Sequence, residues 1–403
     1  MDVRSEFPML GQDAVYFDNA ATSLKPRCVI QSLQDYYTIY GASVHRGSYL
    51  LAQKATGTYE SARETIAQFI NAEPSEVIFT RGATEALNQI CLMLSQDWIF
   101  PENEVLATKL DHHSALLPWM HLAAQNRCVL SFVPITEDFQ IKPDELERKI
   151  NDKTTVLTIN YSSNVTGTTI KNIKELVQIA HKHNVIVVVD ATQTIPHRKI
   201  DVKDLDCDFL VFSGHKMFGP TGIGVLYGKS DILAKLEPIY YGGEMAFNVD
   251  IGSNTIKTKD APGKFEAGTP PIAGAIGLAS AVDMINEIGY ANIISMEADL
   301  IDYFGKRLVD FPEVIVYNNN IGKFDVDLPV FSFNFDGLHA HDVATIYGEE
   351  GICLRAGNHC AQPLVESFGV PSTVRASLSF YNTKSEIDRF FNTTQLIINN
   401  LIR

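Results

Sequence analysis

Two polar clusters interrupt the apolar sequence between Val185 and Gly224. Asp190-Ala-Thr-Gln193 follows the run Val185–Val189, and Ser213-Gly-His-Lys216 follows Phe209–Phe212. A carboxylate and a primary amine brought together suit a pyridine-based cofactor that carries an aldehyde. The carboxylate keeps the ring nitrogen protonated, and the amine bonds the aldehyde carbon. Arg355-Ala-Gly-Asn-His359-Cys360-Ala-Gln-Pro363 holds a cysteine among polar residues with no apolar pattern, the setting of an exposed, partly ionised thiol. Cys28, Cys91, Cys128 and Cys207 read instead as small buried hydrophobes. Arg375, in Val374-Arg-Ala-Ser-Leu, has the fork that grips a carboxylate through two bonds.

These residues need elements that carry them to one place. Val185–Val189 and Phe209–Phe212 are β-branched or aromatic, too short for helices, and read as buried strands. Ligands of parallel α/β sheets gather beyond the carboxyl ends of the strands, which places Asp190 and Lys216 on one rim. Upstream, a strand over Glu76–Thr80 breaks at Arg81-Gly82-Ala83-Thr84 before a helix. A glycine turn at the head of a helix offers free N–H groups to a phosphate, although one such turn is weak evidence alone. The strand Glu104–Thr108 ends at Asp111-His112-His113-Ser114, ahead of a helix around Trp119–Ala124. Adjacent histidines point apart and no third ligand stands at a useful spacing, so an imidazole over an aromatic ring is a better reading than zinc.

Further strands read at Val15–Phe17, Val156–Asn160, Val314–Tyr317 and Val330–Phe335. Helices read at Val29–Tyr40, Thr58–Asn71, Ile173–His183, Ile272–Ile288, Met296–Val309 and Glu386–Leu401. Gly219–Gly224 resembles a phosphate loop but lacks the Lys-Ser/Thr ending, so a turn into a strand is expected. Leu236–Pro271 reads as a long functional loop. The alternation of strand and helix implies a doubly wound, mainly parallel α/β sheet, and the C-terminal part reads as a smaller α+β unit.

The chain has 403 residues, 45% apolar and 20% charged, with 33 basic and 48 acidic residues and a net charge of −15. That is the composition of a globular protein large enough for two domains. No run of basic residues makes a patch for nucleic acid or an anionic membrane. No signal peptide or membrane span is evident, and six scattered cysteines without a C-x-x-C pair suit a reduced, cytoplasmic protein.

Taken together, the motifs Val44-His45-Arg46-Gly47, Ser213–Gly224, Lys264-Phe-Glu-Ala-Gly-Thr-Pro270 and Arg355–Pro363, in this order, resemble the class V aminotransferase-like, pyridoxal-phosphate-dependent cysteine desulfurases of the SufS/Csd type. The resemblance runs nearly end to end. It implies a fold-type I architecture, with a large cofactor-binding domain over 20–282 and a small domain from 1–19 and 283–403. It further implies that Lys216 holds pyridoxal phosphate and shuttles the Cα proton, that Asp190 pairs with the ring nitrogen, and that His112 stacks on the ring. Gln193 and Asn164 would face the phenolate and the substrate. Thr84, Ser213 and His215 would bind the phosphate, joined by Thr269 from the second subunit of a homodimer. Arg375 would clamp the carboxylate of L-cysteine, with Asn164 nearby, and Arg355 would lie close to Cys360. His45 and Arg46 would line the entrance near the dimer interface.

The implied reaction converts L-cysteine to L-alanine, leaving a persulfide on Cys360 for an acceptor protein in iron–sulfur cluster assembly. Asn358 stands where the family often has histidine, giving Asn-His-Cys, which implies an altered tuning of the thiol. Leu338-His339-Ala-His341-Asp-Val343 resembles the branch served by a zinc-binding, SufU-like acceptor, with His341 as its contact; a SufE-like acceptor is the other expectation. Selenocysteine lyase or cysteine-sulfinate desulfinase activity is the alternative within the same chemistry. A silent homologue that only binds partners is the alternative outside it, opposed by the intact set Lys216, Asp190, Cys360 and Arg375.

Overall fold

The structure, a computed structural model, describes residues 3–318 and 326–402. Among the described residues two short 3-10 turns, Val3–Glu6 and Pro8–Gly11, precede the first strand, the two-residue β1 (Val15–Tyr16). Among the described residues a seven-stranded sheet follows, built from β2 (Val77–Thr80), β3 (Glu104–Ala107), β4 (Val129–Phe132), β5 (Thr154–Asn160), β6 (Ile186–Asp190), β7 (Phe209–Ser213) and β8 (Gly224–Gly228). Its order is β2-β8-β7-β6-β5-β3-β4. Only β8 runs against its neighbours, so the other six strands end on the same rim. The register sharpens this: Asn160 lies opposite Asp190, while Thr80 and Ser213 both lie opposite Gly224. The central strands are buried on both faces, which is why they carry apolar residues without alternation.

Helices cover the faces of this sheet. Ile272–Ile288 is apolar nearly all round because it is buried, packing on both Leu50–Ile70 and Arg27–Asp35. Gly289, at φ +78°, separates it from Tyr290–Leu308, and the two helices meet at 78°. Among the described residues no single helix is long and apolar enough to cross a membrane.

An antiparallel hairpin, β9 (Ala246–Asp250) with β10 (Thr255–Thr258), lies inside the segment expected to be loop. Beyond it, β11 (Val314–Val316), β12 (Val330–Phe335), a two-residue β13 (Ile352–Cys353), β14 (Arg355–Gly357) and β15 (Thr373–Ser377) complete the strands. Among the described residues, four of them form an antiparallel sheet in the order β11-β12-β15-β14. Phe304 stacks on Phe331 at 4.1 Å between ring centroids, and Tyr347 on Phe390 at 4.8 Å, beneath this sheet. Helix Lys384–Ile397 closes the layer, with Thr383 and Glu386 exchanging capping bonds. The N-terminal β1 pairs in parallel with β13, which fastens the start of the chain to the second sheet.

Several boundaries differ from the sequence reading. The helix expected from Thr58 begins at Leu50, and the one expected at Trp119 begins at His113, capped by His112. The helix expected to continue to Tyr40 leaves α geometry after Asp35 and ends in one wider turn. Edge strand β4 and the helix Pro143–Lys149 had no reading in the sequence. Hairpin β9–β10 was hidden because its residues are mostly exposed, so burial imposes no alternation on them. Cys28 is exposed rather than buried, whereas Cys91, Cys128 and Cys207 are buried as expected.

Candidate active site

The shared rim opens into a cavity of about 210 Å³. Asp190, Gln193, Ser213, His215 and Lys216 reach it from β6 and β7, and Thr84 from the turn after β2. His112 and Asn164 come from the loops after β3 and β5, while Arg355, Cys360 and Arg375 come from the second sheet and its loops. Eleven sequence-proposed residues line this one cavity, whereas Thr269, His341, His45 and Arg46 do not.

At one end of the cavity two backbones nearly touch. A Cβ added to Gly224 would lie 2.4 Å from Gly82 Cα, so β8 approaches the glycine turn only because Gly224 lacks a side chain. Ser213 Oγ accepts the N–H of Ala83 at 2.9 Å. The N–H groups of Thr84 and Glu85 follow, ahead of the first intrahelical bond, from Ala86 N–H to Gly82 O. Thr84 Oγ1 and Ser114 Oγ share a hydrogen bond of 2.7 Å. Hydroxyls beside a 15-residue helix head make an anion cradle.

Asp190 is buried, its Oδ1 accepting Thr192 N–H at 2.9 Å. Burial raises its pKa; Thr192 and the nearby Lys216 offset this only partly, so a cationic ring N–H would complete its surroundings. Lys216 is pushed down to about 8, first by burial and then by Arg375, with Arg355 adding and Asp190 and Cys360 opposing. His215 falls to about 4 by burial and by the charges of Lys216 and Lys25. His112 falls to about 3, mainly by burial and then by Lys216. Its Nδ1 accepts Ser114 N–H at 3.1 Å, which puts the imidazole proton on Nε2. A neutral ring of this kind presents a flat face and a single donor.

At the opposite end, Arg375 is buried in β15, directly opposite Arg355 of β14. Its guanidinium donates to Asn164 O at 2.9 Å and to Asp18 Oδ1 at 3.2 Å. Among the described residues Arg375 Nε, Asn164 Oδ1, Thr192 Oγ1 and His359 Nδ1 are buried without a partner, and all four residues line the cavity. Such groups are costly unless a ligand meets them. The donor set therefore fits pyridoxal phosphate with an amino-acid carboxylate beside it.

Cys360 is half-buried on the cavity wall rather than fully exposed. His359 and Cys360 both take left-handed backbone, at φ +53° and +57°. His359 is buried, its Nε2 donating to Thr373 O at 3.1 Å, and burial holds its pKa well down. Asn358 accepts Cys360 N–H on Oδ1 at 3.1 Å, so its side chain braces the turn.

Other expected residues lie off this wall. Thr269 is exposed. His45 pairs with Glu60 at 2.8 Å and Arg46 with Glu244 at 2.5 Å. His341 is exposed at the head of helix Ala340–Glu349, its ring stacked on His339. Sequence reasoning passed over four residues that shape the site. Asp18 pairs with Arg375, and Ser114 with Thr84. The fully buried Asp111 accepts the N–H groups of Thr108 and Asn160 at 2.6 and 2.8 Å, tying the His112 loop to the rim. Lys25 donates to His215 O at 2.8 Å, and burial among neutral acceptors lowers it to about 7.

The sequence pattern of the family described as Aminotransferase class-V matches residues 15–390. The chain belongs to the class V aminotransferase family. This class V chain is 44% identical over 393 residues to a probable cysteine desulfurase of Halalkalibacterium halodurans, covering 96% of this chain and 95% of that protein. A cysteine desulfurase of Haloferax volcanii is 40% identical over 377 residues, covering 93% and 87%. The apo cysteine desulfurase of Thermococcus onnurineus superposes with a TM-score of 0.93 at 37% identity, covering 99% of this chain and 98% of that one. The cysteine desulfurase CsdA of Escherichia coli, in S-sulfonic acid form, gives 0.90 at 36% identity, covering 98% and 97%. The architecture is that of a fold-type I enzyme dependent on pyridoxal phosphate.

Proposed function

We propose that this protein is a cysteine desulfurase that moves the sulfur of L-cysteine onto Cys360 and releases L-alanine. The observation that supports this most is the convergence of Lys216, Asp190, Arg375 and Cys360, from two sheets, on one cavity. Lys216 Nζ holds the cofactor's aldehyde carbon, Asp190 its ring nitrogen, His112 one ring face, and Gln193 the phenolate side. Thr84, Ser213 and His215 hold the phosphate. When bound, pyridoxal phosphate accepts the electron pair left at the substrate's Cα. Arg375 binds the substrate carboxylate, with Asn164 nearby. Lys216 Nζ, on the same cavity wall, would take the Cα proton. Cys360 Sγ, as thiolate, attacks the substrate sulfur while the carbon–sulfur bond breaks. The bonding pair stays with the carbon fragment, which gains protons to leave as alanine, and Cys360 keeps a persulfide. Arg355, on the same cavity wall, would offset its negative charge.

The persulfide then passes to an acceptor protein of the SufU or SufE type for iron–sulfur cluster assembly in the cytoplasm. His341, exposed at a helix head, suits contact with a zinc-bearing acceptor. Exposed Thr269 completes the phosphate cradle of a second copy in a homodimer, with His45 and Arg46 near that contact. The chain divides into a cofactor domain over 20–282 and a small domain from 1–19 and 283–403, a division supported by the pairing of β1 with β13; positions 1, 2, 319–325 and 403 lie outside the described residues. The deciding experiment is mass spectrometry of the loaded protein after L-cysteine. One added sulfur atom on Cys360 is expected. Cys360→Ala should keep the visible absorbance of bound cofactor and lose sulfide release, and normal turnover by that variant refutes the mechanism.

A further inference from the structure

The helix that carries His112 also meets the nucleophile's loop. His113 N–H donates to Cys360 O at 2.7 Å, and His113 Nε2 accepts Gln362 N–H at 3.2 Å. One residue thus holds the chain on both sides of Ala361. The accepting Nε2 leaves the imidazole proton on Nδ1. The loop requires such holding, because consecutive non-glycine residues in left-handed backbone are intrinsically unfavourable and persist only where surroundings impose them. Within the loop, Asn358 braces Cys360 N–H and accepts Ala361 N–H at 2.9 Å. From outside, Asn164 Nδ2 donates to His359 O at 2.7 Å. His359 Nε2 ties to Thr373 O at 3.1 Å, and His113 adds the ties at Cys360 O and Gln362 N–H.

Three successive residues at this helix head have three separate tasks. His112 faces the cavity, His113 grips the Cys360 loop, and Ser114 bonds Thr84 in the phosphate cradle. We propose that His113 is a positioning residue: its imidazole, by accepting Gln362 N–H, fixes Cys360 Sγ relative to the wall formed by His112 and Ser114. This rests on the reading of Cys360 as the nucleophile. A rigid link between that wall and the loop places the thiol at the same depth in every molecule, and transfer between two sulfur atoms depends steeply on such placement.

The test compares His113→Leu with His113→Gln in the cofactor-loaded protein. Both keep the backbone bond to Cys360 O, and only glutamine retains an acceptor at the reach of Nε2. In His113→Leu, amide hydrogen exchange over residues 360–362 should speed up about three- to tenfold, the effect of one lost hydrogen bond on local opening. Sulfur loading of Cys360 in a single turnover should slow by a similar factor while the visible absorbance of bound cofactor is unchanged. His113→Gln should restore both. If leucine leaves exchange and loading at the wild-type rates, or glutamine fails to rescue, the proposal is overturned. His113→Ala provides the same comparison should the leucine variant fail to fold. If wild-type protein gains no sulfur on Cys360, the nucleophile reading fails, and the exchange comparison still decides what His113 does to the loop.

Discussion

Loading of the apoprotein with pyridoxal phosphate should show an apparent pKa near 8. Only the unprotonated Lys216 amine can bond the aldehyde, so the rate rises with pH and levels off above the pKa of Nζ. An ordinary lysine titrates near 10.4 and would expose only a few free amines in ten thousand at pH 7; the figure of about 8 gives roughly one in ten, a gain on the order of 300-fold. The structure also says what moves the midpoint. Burial is the largest cause, followed by the positive charge of Arg375, while Asp190 acts in the opposite direction. Arg375→Gln removes a cation and should raise the midpoint; Asp190→Asn removes an anion and should lower it. Charge pairs at such sites are worth about a unit or more of pKa, enough to resolve by stopped-flow absorbance of the aldehyde across pH 6–11. A midpoint that stays near 10.4, or one that Arg375→Gln leaves unmoved, would refute this electrostatic account.

Two further substitutions test the scaffold. Glu266 accepts Arg63 through both oxygens, at 2.7 and 2.9 Å, as well as Tyr59 and the edge N–H of Phe79. Glu266→Ala leaves the buried guanidinium with only the more exposed Glu60 as a carboxylate partner and should cost about 3 kcal/mol, read as a fall in the denaturant midpoint. A midpoint equal to that of wild type would show the pair to be dispensable. Asp111→Ala removes the acceptor of two backbone N–H groups and should cost about 2–4 kcal/mol. It should also weaken cofactor retention, since it frees the loop bearing His112; unchanged retention in a destabilised protein would separate the two effects.

The strands that carry Asp190 and Lys216 were legible because a parallel sheet buried on both faces demands unbroken apolar runs, each ending at polar residues. Cys360 and Arg375 stood out by their chemical context, and the order of motifs along the chain supplied their roles. Helix starts at Leu50 and His113 were misplaced because Tyr49 makes no side-chain cap and a histidine cap, as at His112, leaves little mark in composition. Hairpin β9–β10 escaped because exposed strands need not alternate.

What only the tertiary structure decided is which polar groups meet. Asp18 lies 357 positions from Arg375, and His113 lies 249 from Gln362, yet each pair is in hydrogen-bond contact. Local periodicity reports burial of one element at a time. Pairings between elements depend on strand order and on how two sheets pack, and these arise from the whole chain. The sequence by itself determined the chemistry available, an amine, a carboxylate, a thiol and a guanidinium. Folding determined their common cavity, their protonation and the grip of His113 on the Cys360 loop, because distance and burial exist only once the chain is folded.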